Sequence, residues 1–375
     1  MSDPPRPYSR EEFEIALICA LPLEYNAVSL LFDEFWDDDG DRFGRASWDP
    51  NTYTTGRIGK YNVVLALLPQ MGKVTAASAA ASVRSSYTGL RLALLVGICG
   101  GVPRKSEGED DEVLLGDVVV SKTIVQYDFG RRYPHMFSRK DTVEDNLGRQ
   151  NKDIRSLLVA LETELGLERL QQRTAHYLKM LQANAIHRKR RVNYTYPGTA
   201  EDKLFEPSYR HKHHGTTTCI CKDCTKKFDP VCEEALSSSC AHLQCDETYL
   251  VSRERLKMKR QLEQANNSDV QEPAIHIGRI ASGDTVMKSG EDRDSIAKAD
   301  GVIAFDMEGA GVWDEVPCIV VKGVCDYADC HKNKRWQDFA AATAAATMKA
   351  LLERYIRTDK LIETRVRDGQ SQKIL

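Results

Sequence analysis

The chain has 375 residues, 42% hydrophobic and 29% charged, the balance of a globular protein with room for one large domain or two ordinary ones. Its 52 Lys and Arg stand against 55 Asp and Glu, a net charge of -3, which argues against a general nucleic-acid or membrane-surface role. The first residues, MSDPPRPYSREEF, lack the apolar core of a secretory signal, and no uncharged apolar run is long enough to span a bilayer; a cytoplasmic location is expected, with the 11 Cys as thiols or metal ligands rather than disulfides.

In chain order, residues 13–21 (FEIALICAL) form a short apolar run, the pattern of a strand covered on both faces. Pro22 then opens a helix, where its missing N–H leaves nothing unpaired, with Leu23, Ala27, Leu30, Leu31 and Phe35 at helical spacing. Residues 53–58 and 61–68 flank Gly59-Lys60, a two-residue hairpin signal. Residues 72–87, rich in Ala and Ser, read as a helix suited to close packing. Residues 92–96 read as a second buried strand ending in a glycine-rich turn at 97–101, and residues 118–125 as a third strand. Residues 145–187 read as helical, with Leu157, Leu158, Leu161 and Leu165 on one apolar face.

From about residue 185 to 273 the composition changes: first basic (HRKRR), then rich in Cys and His, then charged. It reads as an insertion, too long for an ordinary loop. The α/β pattern resumes with strands at 274–281, 301–305 and 318–324, and an Ala-rich helix at 340–355. Such alternation implies a helix-flanked, mostly parallel sheet. The expected organisation is a flexible tail at 1–12, a domain over 13–357 interrupted by the insertion at 185–273, and a polar tail at 358–375.

Ligands bind at the carboxyl ends of strands in open α/β sheets, and several segments place acids or glycines just there. Singly each is weak. Glycines after a strand usually mean a tight turn, Glu24 in a first helical turn is favourable to the helix dipole whatever else it does, and Asp326 could be an ordinary cap or loop acid. Together, and in this order, IALICALPLE, LLVGICGGV, IASGD, FDMEGAG and VKGVCDYAD resemble the purine nucleoside phosphorylase and nucleosidase superfamily, closest to fungal nucleoside-phosphorylase-like proteins and bacterial methylthioadenosine nucleosidases. The resemblance covers residues 13–145 and 274–355 and leaves the insertion unexplained. It implies an α/β fold with a mixed, largely parallel sheet curled into a barrel-like core, helices around it, and a homo-oligomer, as the family forms dimers or hexamers.

It also implies roles by position. Glu308 matches the glutamate that hydrogen-bonds the ribose 2′- and 3′-hydroxyls, and Met307 the methionine packed on the sugar. Asp326 matches the aspartate that protonates the purine at N7. Val286 and Met287 match residues lining the base pocket, and Cys99, Gly100 and Gly101 the glycine-rich turn beneath the sugar. Cys325 stands where nucleosidases often carry Ser. The chemistry fits: breaking a ribosyl C–N bond passes through an oxocarbenium-like state, the leaving purine needs a proton, and a carboxylate near the sugar hydroxyls stabilises the cation.

The family divides on the nucleophile. Phosphorylases grip phosphate with Arg; hexameric ones place it at the position of Glu24, with a second just before the Val-Gly turn, here Leu95. A carboxylate and a Leu at these places point to water, with Glu24 positioning and deprotonating it. The expected activity is therefore hydrolysis of a purine, in particular adenine, nucleoside or nucleotide. Basic groups at Arg104 and Lys105, Arg131 and Arg132, 187–191 and 332–335 raise adenosine 5′-phosphates, including ATP, as substrates. The alternatives are a phosphate-dependent phosphorylase, a nucleotide-sensing module without turnover such as those heading fungal immune-type receptors, and a zinc-dependent nucleic-acid binder. Catalysis requires no cofactor on this reading. In the insertion, Cys221-x-x-Cys224 has the spacing of half a zinc site, so a structural zinc is expected there, with ordinary surface thiols as the alternative.

Overall fold

The computed structural model describes residues 6–38, 40–103, 112–215 and 218–356. Arg104, Lys105 and the tail at 358–375 lie outside the described residues.

The first strand, β1 (Ile15–Cys19), is five consecutive apolar residues, all buried, because layers cover both of its faces. Helix α1 (Pro22–Ser29) starts with Pro at its first turn, and Glu24 accepts the backbone N–H of Leu21, the residue before the helix. It ends sooner than the apolar spacing implied: Phe35 belongs to a two-residue strand, β2 (Glu34–Phe35), paired with β3 (Tyr53–Ile58). The hairpin of β3 and β4 (Tyr61–Leu67) turns at Gly59, whose φ of +55 suits glycine. Helix α2 is Lys73–Ser86.

The glycine-rich segment is the main local correction. It is not a turn: β5 runs from Leu92 through Gly101. Then come β6 (Val118–Gln126), a small hairpin of β7 (Gly130–Arg132) and β8 (Phe137–Arg139), and helices α3 (Lys152–Leu161) and α4 (Glu164–His187). The chain breaks between those helices, where Thr163 caps α4. Leu158 and Leu161 are buried but Leu165 is exposed, so the expected four-leucine face stops at the break.

After the insertion come β9 (Ile275–Ser282), a helix over Gly290–Asp300, β10 (Val302–Asp306), a helix over Gly309–Glu315, β11 (Cys318–Asp326) and a last helix over Gln337–Arg354. Three helices lie within the insertion, α5 (Glu233–Ser237), α6 (Cys240–Leu243) and α7 (Glu254–Gln264). The three that follow are therefore α8, α9 and α10 in chain order.

The nine-stranded sheet runs β10-β9-β6-β11-β5-β1-β4-β3-β2, and β10 also pairs with β5. Five strands thus close into a ring, β10-β9-β6-β11-β5, while β1, β4, β3 and β2 extend outward from β5. Pairing is mixed: β1–β4, β1–β5, β5–β11, β6–β9 and β9–β10 are parallel, whereas β11–β6, β10–β5 and the β2-β3-β4 meander are antiparallel. Helix α10, almost wholly buried, packs on β11, β5, α4 and α1; its alanines allow that close approach. No helix among the described residues is long and apolar enough to cross a membrane.

One detail of the ring builds the site. On one flank of β5, pairing with β1 stops at Leu95 and pairing with β10 starts at Gly100. The sheet splits between them, leaving a cleft above Gly97, Ile98 and Cys99. Within the segment read as a tail, Pro7 is buried and Arg10–Glu12 form a 3-10 turn.

Candidate active site

The split in the sheet leads to a cavity of about 250 Å³ lined by residues from α1, β5, β10, β11 and the loop after β9. Glu24, Glu308, Asp326, Cys99, Gly100, Val286, Met287, Met307 and Cys325 all line it. Gly101 does not: a Cβ there would meet Val324 at 2.6 Å, so this glycine permits packing of β5 on β11. Leu95 is fully buried between β1 and β11.

Glu24 is fixed by three backbone donors. The N–H groups of Ala20 and Leu21 donate to Oε2 at 2.8 and 2.9 Å, and that of Ile98 donates to Oε1 at 2.8 Å. The Ile98 N–H is available because β1 has left that flank of β5. The carboxylate lies directly over Gly97, where a Cβ would come within 2.2 Å of Oε1. Burial raises its pKa above the ordinary carboxylate range, against a lowering pull from Lys322.

Glu308 follows β10 and is buried. It accepts from Gly72 N–H at 3.4 Å and from Lys322 Nζ at 3.1 Å. Lys322 is a residue that the sequence reading passed over, a lone cation within the apolar run of β11. It is 1% exposed, with Asp306 Oδ2 at 4.0 Å. Burial opposes its charge, yet Glu308, Glu24 and Asp306 together hold its pKa above the usual lysine value. Asp306, also buried, accepts from Gly309 N–H at 3.0 Å. Desolvation pushes it up to about 6 despite Lys322. Behind the cavity lining, one buried ammonium thus pairs with Asp306 and Glu308 and lies in the field of Glu24.

Asp326 ends β11. Its Oδ1 accepts from Ala328 N–H at 2.8 Å and from Lys332 Nζ at 3.0 Å, and the Cys325 thiol lies 3.4 Å from Oδ2. Cys325 therefore keeps a donor group beside Asp326. Ala328 has φ +53, a left-handed conformation costing an L-residue about 1 kcal/mol. It turns the chain so that its N–H reaches back to the carboxylate. Gly100 makes room, as a Cβ there would sit 2.9 Å from that of Ala328.

The wall opposite is apolar: Phe305, with Tyr127 edge-on at 5.6 Å, packs with Met287 and Ala328. Val286 is exposed at the rim. Lys73 lies near this rim, but Asp128 holds its ammonium at 2.6 Å. Of the basic groups expected around the substrate, Lys332 lines the cavity. Arg131 and Arg132 lie in the β7–β8 hairpin. Residues 187–191 follow α4, where Arg188 sits over Phe35, beyond the end of α1 opposite Glu24. Cys221 and Cys224 are outside this cavity, in the insertion.

Residues 14–180 match the model of the phosphorylase superfamily; the residues around Glu308 and Asp326 lie beyond that span. A nucleotide-binding leucine-rich repeat (NLR)-like protein of Hyaloscypha variabilis is 29% identical, over 97% of this chain and 32% of that protein. The chain thus spans about a third of the length of that relative. Among solved structures, futalosine hydrolase of Helicobacter pylori aligns with TM-score 0.46 and 17% identity, over 91% of this chain and 98% of that one. The 5′-methylthioadenosine/S-adenosylhomocysteine nucleosidase of the same organism aligns with TM-score 0.45 and 17% identity, over 91% and 98%.

Proposed function

We propose, for a chain matching the phosphorylase superfamily over residues 14–180, that this cavity hydrolyses the N-glycosidic bond of purine nucleosides or nucleotides, with adenine as the leaving base. The observation carrying the reading is that Glu24, Glu308 and Asp326, far apart in sequence, line one cavity. In the proposed reaction the ribosyl C1′–N9 bond breaks and its electron pair passes to the base, which takes a proton from Asp326 at N7. Glu308 accepts hydrogen bonds from the ribose hydroxyls as the sugar gains positive character. Water attacks C1′ and gives its proton to Glu24, whose raised pKa suits a general base.

Water is favoured over phosphate because of the charge around the cavity. The buried Lys322 is already held by the field of three carboxyl groups, and among the described residues Lys332, paired with Asp326, is the cation that lines the cavity. A phosphate dianion would meet more negative than positive charge. Substrates carrying 5′-phosphates, including ATP, remain part of the proposal through Lys332 at the cavity wall.

The test is adenine release from adenosine, AMP, ATP and methylthioadenosine, with and without phosphate and at two salt concentrations. Release independent of phosphate is expected, with the phosphorylated substrates losing more rate at high salt because exposed charge pairs are screened. An absolute phosphate requirement would make the protein a phosphorylase. Cleavage confined to unphosphorylated nucleosides would remove ATP from the reading. The likeness to an NLR-like protein favours one second reading, a sensing module; nucleotide binding with no base released from any substrate would establish it.

Glu308→Gln tests the sugar contact. Replacing an ionised acceptor by a neutral amide should lower kcat/KM on ribosides by about 10–100-fold, the worth of a charge-assisted hydrogen bond. The loss should be smaller on 2′-deoxyribosides. Unchanged kinetics on ribosides would detach Glu308 from the sugar.

A further inference from the structure

The insertion folds back onto the body beside the loop that carries Asp326. Buried Arg253 donates to Asp202 at 2.8 Å, and Tyr327 donates to the same carboxylate at 2.7 Å. Arg255 pairs with Asp117 at the start of β6. Phe205 stacks on His331 with ring centroids 4.3 Å apart. In this setting the cysteines and histidines of the insertion gather into two groups of four. One is His211, Cys240, Cys245 and His331; the other is His213, Cys219, Cys221 and Cys232. In each group the ligand atoms lie within 4.8 Å of one another.

The spacing within the first group is that of a coordination shell. A tetrahedral zinc with Zn–N of about 2.0–2.1 Å and Zn–S of about 2.3 Å sets edges of about 3.3 Å for N–N, about 3.6 Å for N–S and about 3.8 Å for S–S. Here His211 Nδ1 and His331 Nδ1 are 3.3 Å apart. Cys240 Sγ lies 3.5 Å from His331 Nδ1 and 3.8 Å from His211 Nδ1, and Cys245 Sγ lies 3.8 Å from His211 Nδ1.

The ring orientations are a second, independent indication. His211 Nε2 is 2.9 Å from the Ser238 carbonyl and His331 Nε2 is 3.1 Å from the Tyr209 carbonyl. A carbonyl only accepts, so each Nε2 carries a proton, and in the neutral ring each Nδ1 turns a lone pair towards the other. Two neutral rings facing at 3.3 Å are in place to share a cation, and a backbone carbonyl on the distal nitrogen is the usual support of a metal-bound histidine. In the second group, His213 Nδ1 is 3.4 Å from Cys232 Sγ and 3.9 Å from Cys219 Sγ. The Cys221 and Cys232 backbone N–H groups donate to Cys219 Sγ and Cys221 Sγ, each at 3.5 Å, the support that a thiolate needs.

We propose that the chain binds two zinc ions, one in each group, and that the ion at His331 fastens the insertion to the loop carrying Asp326 and Lys332. Three of its ligands come from the insertion and the fourth, His331, lies between Asp329 and the cavity residue Lys332. The expected pairing of Cys221 with Cys224 is corrected: Cys221 is a ligand, whereas Cys224 points to the Asp229 carbonyl at 3.7 Å and receives Arg210 Nε at 3.4 Å. The sites are structural, since each offers four protein ligands and leaves no open position.

The test is the metal content of protein purified without chelator, a readout independent of whether the cavity turns over any nucleoside. About two zinc ions per chain are expected, falling to about one in Cys240→Ser and in Cys232→Ser, and staying at about two in Cys224→Ser. Without any substitution, the thiols of Cys219, Cys221, Cys232, Cys240 and Cys245 should react with a disulfide reagent only after zinc is stripped, so the test holds even if a variant fails to fold. Fewer than two ions per chain, a Cys240–Cys245 disulfide found by mass spectrometry, or loss of an ion from Cys224→Ser would overturn the proposal.

Discussion

Asp326→Asn is expected to lower the rate of base release by about 10²–10⁴-fold, the usual worth of one general acid, with little change in fold. The amide has nearly the volume of the carboxyl group, and its oxygen can still accept from Ala328 N–H, which Asp326 Oδ1 does at 2.8 Å. It cannot deliver a proton to a leaving purine. Lys332 Nζ, 3.0 Å from Oδ1, would still find the amide oxygen as its acceptor. Circular dichroism and single-turnover adenine release separate a chemical loss from an unfolded protein. A variant that releases base at near the parental rate would take Asp326 out of the mechanism.

Lys322→Met should cost about 3–5 kcal/mol of stability, the range for stripping one partner from a buried ionic cluster. Met fills the space of the Lys stem but leaves Glu24, Asp306 and Glu308 buried without their common cation. The pH dependence gives the effect a signature. Asp306 is raised to about 6 in the folded protein from an ordinary value of 3.8, and Glu24 is raised as well. A carboxyl group whose folded pKa is raised contributes stability that is complete below its unfolded pKa and is lost as pH rises through the folded one. For Asp306 that window runs from about pH 4 to 6. Without Lys322 the carboxyl groups hold their protons to higher pH, so the window widens upward. Urea unfolding should find the variant much weaker than the parent at pH 8 and closer to it at pH 5. An equal deficit at both values would mean that lost packing, rather than uncompensated charge, explains the change.

Most strands were legible from the sequence because burial on both faces leaves unbroken apolar runs, as in Ile15–Cys19, and because Gly59-Lys60 sits between two strand-like runs. The segment at 97–101 was misread for a physical reason. Glycine there signals a close approach by Glu24 and by Ala328 rather than a reversal of the chain, and a sequence does not distinguish the two. Carboxylates at strand ends pointed to the cavity, but its cation did not stand out. Lys322 is a single charge in an apolar strand, and its meaning depends on Glu24, nearly three hundred positions away. The proposed metal ligands were hidden in the same way: Cys221-x-x-Cys224 is a pattern local to the sequence, whereas His331 reaches its group from another part of the fold. The basic segments show the converse: among the described residues of those segments, adjacency in sequence to site motifs placed only Lys332 at the cavity.

The extra pairing of β10 with β5 has a consequence for how copies of this protein can meet. An open sheet has two outer strands whose unpaired N–H and C=O groups invite a strand from another molecule, the usual route to fibrils and swapped dimers. Here one end of the nine-stranded sheet folds onto β5, and the other end is β2, two residues long. Among the described residues the edge left at that end is short, β2 and the part of β3 that β2 does not cover, which limits the backbone that a neighbour's strand could pair with.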